Sequence, residues 1–138
     1  MRSKNNPENS YELSKRELDV MNVFWAQEGP VIASDIPKAN GSLSINTVQA
    51  VIKKLIQKNY LKVDEIVYSG TVLTRSYLPV VTADEYAKRQ IQTDASFLSK
   101  YTNKIGVVEA LLDAEEDETQ LLNDLEELVK QRKKSLKK

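Results

Sequence analysis

Ser44-Ile45-Asn46-Thr47-Val48-Gln49-Ala50-Val51-Ile52-Lys53-Lys54-Leu55-Ile56-Gln57-Lys58 carries two patterns at once. Val48, Val51, Ile52 and Leu55 recur at spacings of three and four, which predicts an amphipathic helix with one buried stripe. Ser44 stands where an N-cap belongs, because its hydroxyl can accept from a free amide of the first turn. The opposite face carries Asn46, Gln49, Ala50, Lys53 and Lys54, short or amide-bearing side chains early and cations later. Such a face suits a DNA major groove, with amides at base edges near the helix start and lysines on phosphates farther along. It suits an ordinary solvated helix as well, so the neighbouring segments decide.

Upstream, Ser14-Lys15-Arg16-Glu17 has the Ser-x-x-Glu form of a capping box and predicts a helix start. Leu18, Met21, Val23, Phe24 and Trp25 give that helix a broad apolar face, with the aromatic pair read as core. Gly29-Pro30 is expected to stop it, glycine taking a left-handed cap and proline being unable to continue. A second helix is expected over about 33–39, limited to two turns or less by Pro37, and Asn40-Gly41-Ser42 forms the loop into the central helix. Downstream, Tyr60-Leu61-Lys62-Val63 and Val72 to Pro79 are rich in β-branched and aromatic residues, with a turn near Ser69-Gly70. They predict a β-hairpin whose second arm alternates Leu73, Arg75 and Tyr77 against Val72, Thr74, Ser76 and Leu78. Helices followed by a hairpin make a winged helix-turn-helix.

From Thr82 onward only helical periodicity remains. Ala87, Ile91, Leu98 and Tyr101 mark one helix, Val107, Val108, Leu111 and Leu112 a second, and Leu121, Leu122, Leu125, Leu128 and Val129 a third opening at Asp117. Three short amphipathic helices cannot enclose a core of their own. Leaving their leucines in water forfeits several kcal/mol at roughly 25 cal/mol per Å². A second copy interleaved about a two-fold axis is the economical cover, so Ile91, Leu98, Val108, Leu111, Leu112, Leu121, Leu122, Leu125 and Leu128 are the expected dimerisation residues. Packing back onto the winged domain is the competing arrangement. The fold class expected is mainly α with a small β-hairpin: a polar tail over 1–10, a winged helix-turn-helix over 11–80, and a helical dimerisation domain over 81–138.

The 138 residues contain no cysteine and no histidine, which excludes disulfides, zinc fingers, thiol nucleophiles and histidine-based triads. Twenty basic and twenty acidic side chains leave no net charge, so only their distribution is informative. Lys53, Lys54, Lys58, Lys62 and Arg75 form a modest basic patch against Asp64 and Glu65. The acidic run Asp113, Glu115, Glu116, Asp117 and Glu118 lacks the spacing and glycine of a calcium loop and reads as a solvated helix start. No metal, cofactor or catalytic activity is expected. With no secretory signal and no apolar run long enough to span a bilayer, the chain is expected to be soluble and cytoplasmic.

The stretch from Leu13 to Trp25, with its Glu, Val-Met and Trp after an apolar run, resembles the opening helix of the penicillinase and methicillin-resistance repressors (BlaI/MecI type) and their copper-responsive relatives. Thr47-Val48, Leu55 and Lys58-Asn59-Tyr60-Leu61 resemble that family's recognition helix and entry to the wing, and Tyr77-Leu78-Pro79 resembles the close of the wing. The resemblance covers 11 to about 80. It implies a homodimeric transcriptional repressor on a palindromic double-stranded DNA operator, with an inducer yet to be identified. By position it implies that Ser44, Asn46, Thr47, Gln49 and Ala50 approach bases or nearby phosphates, and that Lys53, Lys54, Lys62 and Arg75 make charge contacts. The chain lacks the Cys-x-Cys pairs of the copper-responsive members and the Asn-Phe bond at which penicillinase-type members are cleaved. Pro37 and the long stretch between Leu61 and Tyr77 predict a distorted second helix and an enlarged wing. The competing reading is a winged-helix protein-interaction module that does not read DNA.

Overall fold

The computed structural model describes residues 12–137. The polar tail expected over 1–10 lies outside them. Helix α1 (Lys15–Ala26) opens on the predicted capping box: the Ser14 hydroxyl accepts from the Glu17 amide at 3.2 Å, and the Glu17 carboxylate accepts from the Ser14 amide at 2.8 Å. Its end differs from expectation. Gln27, in extended conformation, terminates the helix, and Gly29 is not left-handed, so glycine supplies no cap there.

A two-residue strand, β1 (Val31–Ile32), follows, then a 3-10 turn over Ala33–Asp35 that runs into the single turn of α2 (Ile36–Ala39). The expected helix over 33–39 is therefore two short pieces. Pro37 falls in the first turn of α2, where its missing amide has no partner to lose, so it does no damage. The Asn40 side chain accepts from the Ser42 amide at 3.1 Å and turns the chain toward α3 (Ile45–Gln57), burying Leu43 beneath the turn. Val20, Met21 and Phe24 of α1, Ile36 of α2, and Val48 and Leu55 of α3 build the core.

Helix α3 ends in a Schellman motif. The Tyr60 amide donates to the Leu55 carbonyl and the Asn59 amide to the Ile56 carbonyl, with Asn59 left-handed at φ 64°. Leu55 and Tyr60, the pair that packs across such a motif, are both fully buried.

The sheet has three strands, not two, in the order β1-β3-β2, with β3 (Val72–Pro79) antiparallel to both neighbours. Strand β2 (Leu61–Ser69) fills the long stretch expected to enlarge the wing. It turns into β3 through Gly70 and Thr71 alone, with Gly70 at φ 64°, a position natural for glycine at the head of a two-residue hairpin loop. The pairing slips between Val63 and Ile66, so Asp64 and Glu65 together oppose Ser76. The buried Ser76 hydroxyl donates to the Glu65 carbonyl at 3.2 Å and accepts from the Glu65 amide at 3.3 Å. A side chain thus replaces the ladder bonds that the bulge removes.

Helix α4 (Ala83–Leu98) is capped by Thr82 and stops three residues short of the expected Tyr101. The chain divides into two compact units inside this helix, between Gln90 and Ile91. In the second unit, Asn103 caps α5 (Lys104–Asp113) by accepting from the Gly106 amide, Asp117 caps α6 (Glu118–Leu136), and α5 packs on α6. No residue of α4, α5 or α6 is buried.

Ser76→Ala is expected to leave the Glu65 amide and carbonyl without their buried partner. Urea unfolding should show a loss of about 1–3 kcal/mol.

Candidate nucleic-acid interface

Burying Val48, Val51, Ile52 and Leu55 fixes which way the rest of α3 faces. At 3.6 residues per turn, Asn46, Ala50 and Lys53 fall on one outward row about 10 Å long, with Gln49 and Lys54 flanking it. All five are exposed. Ser44 is exposed too, but its hydroxyl is held in the cap. It accepts from the Thr47 amide at 3.2 Å and donates to the Thr47 hydroxyl at 3.0 Å. Thr47 is half-buried at the edge of the face and keeps its own hydroxyl proton to donate.

The basic patch is smaller than the sequence suggests. Lys58 does not face solvent with Lys53 and Lys54. Its ammonium donates to the Glu17 carboxylate at 2.7 Å and to the Glu12 carbonyl at 2.9 Å. Glu17 is only 4% exposed, so the pair ties the start of α1 to the end of α3. Burial alone would raise the Glu17 pKa. The Lys58 hydrogen bond, the Ser14 amide and the lysine charge more than reverse that, and the group titrates below its ordinary value.

In the wing, Lys62 pairs with Leu78 and Arg75 with Ile66. Leu78 and Arg75 are three apart on a regular strand, so the two cations project from opposite faces of the hairpin and do not form one patch. The bulge adds a residue to β2 and returns Ile66 to the face of Val63. Ile66 (64% exposed), Tyr68 (73%) and Leu73 (58%) therefore surround Arg75 on one apolar face. Simple alternation did not reveal this.

Two further exposed groups were missed. Gln57 continues the outward row of α3. Arg16, on α1, donates to the Ser42 carbonyl at 3.4 Å and so sits beside the loop that opens α3, a placement that no local spacing signals.

Of the residues expected to dimerise, Ile91, Leu98, Leu111, Leu122 and Leu128 are exposed, and Val108, Leu112, Leu121 and Leu125 are half-buried. Phe97, Tyr101 and Ile105 are exposed as well. No described helix is long and apolar enough to cross a membrane.

The sequence profile of the penicillinase repressor family matches residues 13–131, nearly the whole described chain. The chain belongs to that family. As a penicillinase repressor relative it is a DNA-binding transcriptional regulator. No curated protein matches the chain. Among solved structures it is similar to a possible transcriptional regulator from Methanosarcina mazei Go1 (23% identity, 67% of this chain and 79% of that one, TM-score 0.47). It is also similar to the adhesin competence repressor of Streptococcus pyogenes (15%, 93% and 83%, 0.43) and to a MarR family regulator from Neisseria meningitidis (19%, 91% and 80%, 0.41).

Lys58→Met is expected to cost about 1–3 kcal/mol in a urea titration, because it leaves a buried carboxylate without its partner. The folded Glu17 pKa lies below the ordinary 4.5, so the pair stabilises the fold at neutral pH and loses that contribution as the pH falls below about 4.5. Stability measured from pH 7 to 3 should show this loss in the wild type and a smaller one in Glu17→Gln.

Proposed function

We propose that this penicillinase repressor relative is a homodimeric repressor that reads a palindromic operator with α3 in the major groove. The observation that carries the reading is the outward row of α3, where exposed amides, a small residue and two lysines follow one another from the capped end. Asn46 and Gln49 suit adenine edges, Ala50 leaves room for a thymine methyl, and Lys53 and Lys54 suit phosphates. Thr47 lies at the margin, and Ser44 contributes mainly by holding the helix start. Arg16 joins the backbone contacts from the α1 side. Lys62 and Arg75 contact different parts of the duplex, since they leave the wing on opposite faces.

Residues 11–80 form the DNA-binding domain in this reading, and 81–138 the dimerisation domain. The absence of any buried residue in α5 and α6 supports the assignment for the C-terminal helices, since they bring many large apolar side chains and enclose none of them, whereas the first turns of α4, with Tyr86 on the winged core, belong to the first compact unit. Two-fold pairing would set the recognition helices about 34–36 Å apart, on successive turns of one groove face, where they block polymerase. The second reading, a winged-helix module that binds protein, is favoured by one feature: the apolar face around Arg75 on the wing.

Selection from random duplexes should enrich a palindrome. Gln49→Ala should relax preference at one base position in each half-site, at about 1–3 kcal/mol per site. Lys53→Ala should weaken all sequences alike and reduce the salt slope by about 1. No duplex binding at low salt would favour the interaction module.

Leu128→Glu adds a charge to an exposed position of α6. Sedimentation velocity should show a dimer for the wild type and a monomer for the variant at micromolar concentration. The variant should bind a full operator no more tightly than a half-site.

A further inference from the structure

The acidic run and the lysine-rich end of the chain take no part in the candidate interface. Both belong to the second compact unit, and α6 joins them. Leu122, Leu125 and Val129 follow one another on α6 at spacings of three and four, and the same spacing carries the stripe back to Glu118 and on to Arg132. Leu122 and Val129 are exposed, at 47% and 48%, and Leu125 is half-buried. Leu125 is the centre of this pattern. Glu118 stands seven residues before it and Arg132 seven after, each about 10 Å away along the helix axis. Leu121 and Leu122 on one side are matched by Leu128 and Val129 on the other. Beyond the charged ends, Glu115, Glu116 and Asp117 are opposite in sign to Lys133, Lys134 and Lys137. Shape is thus symmetric about Leu125, and charge is inverted.

The helix dipole explains only part of this order. Its influence is confined to the first and last turns, whereas Arg132 precedes the last turn and Glu115 and Glu116 precede the helix. Nor do the charges satisfy one another within the protomer. Among the described residues, the one ion pair inside α6 joins Glu126 to Lys130 at 3.9 Å, and Glu118 and Arg132 make none. A second copy supplies both partners at once. In a two-fold contact, residue i of one chain meets j of the other and j meets i. Two α6 helices that cross the axis at Leu125 run antiparallel, so their leucines cover each other and Glu118 of each faces Arg132 of the other. A parallel pair would set acid beside acid and base beside base. We infer that α6 is the antiparallel seam of the homodimer, with Leu125 on the two-fold axis and two reciprocal Glu118–Arg132 contacts fixing its direction and register. The inference rests on the dimeric repressor reading. It adds how the copies pair and which chains they accept, namely those with the same order of charge along α6.

The test uses full-length Glu118→Arg and Arg132→Glu, each alone and mixed in equal amounts. Sedimentation equilibrium gives the dimer dissociation constants, and circular dichroism the helix content. Either change alone puts like charges at both contacts of the homodimer, whereas the mixed pair restores opposite charges at both. Each variant should self-associate about tenfold more weakly than wild type, and the mixture should return to within about threefold of it. Recovery in the mixture also shows that both variants fold. A variant that self-associates as tightly as wild type would overturn the inference and leave the dimeric repressor standing, and one that associates more tightly would mark a parallel pair instead. Two weakened variants that fail to recover when mixed would overturn it as well. A wild type that stays monomeric at micromolar concentration would overturn the dimeric reading and the inference together.

Discussion

Tyr60 is the side chain on which the winged unit turns. Its amide closes α3, its carbonyl receives the amide of Val80 after β3, its ring meets Tyr86, and its hydroxyl meets Arg89. Burial pushes the phenol pKa up in spite of the nearby guanidinium, as expected of a polar tip deep in an apolar site. Tyrosine suits this post because it supplies a large apolar body and a polar end from one rigid group. The left-handed Asn59 before it makes the reversal sharp enough for helix, strand and second helix to share one anchor.

The carboxylate of Glu17 plays a similar part at the other end of α1. It serves as the reciprocal half of a capping box and as the counter-ion of Lys58, so one buried group both starts a helix and ties it to the end of another. Such a group is tolerated inside because the Ser14 amide and the Lys58 ammonium both donate to it. The exchange removes one cation from the exposed face of α3, and the remaining lysines there are Lys53 in the outward row and Lys54 beside it.

Much of this was legible in the sequence because short-range chemistry and global packing agree there. The caps at Ser14 and Ser44 and the stripe of α3 are local signals with strong periodicity, and they survive in the structure with the expected partners. What escaped depends on distant pairing. Two residues are too few for Val31–Ile32 to announce a strand, and the pair is defined only by lying against Ser76 and Tyr77. The bulge escaped because it breaks the alternation that would reveal the strand, and the apolar face around Arg75 was hidden with it. Glu17 reads as a solvated cap residue until Lys58 arrives from forty-one positions away. For the candidate interface, the outward row of α3 was readable because burial of one face dictates the other, whereas Arg16 approaches from another helix.

The second unit has helices, caps and leucines but no interior. A segment in that condition has little free energy of its own with which to resist opening, since resistance comes from apolar contacts that unfolding must break. Its amides in α5 and α6 are then expected to exchange with solvent through local opening well before those of α1 and α3, whose stripes are buried.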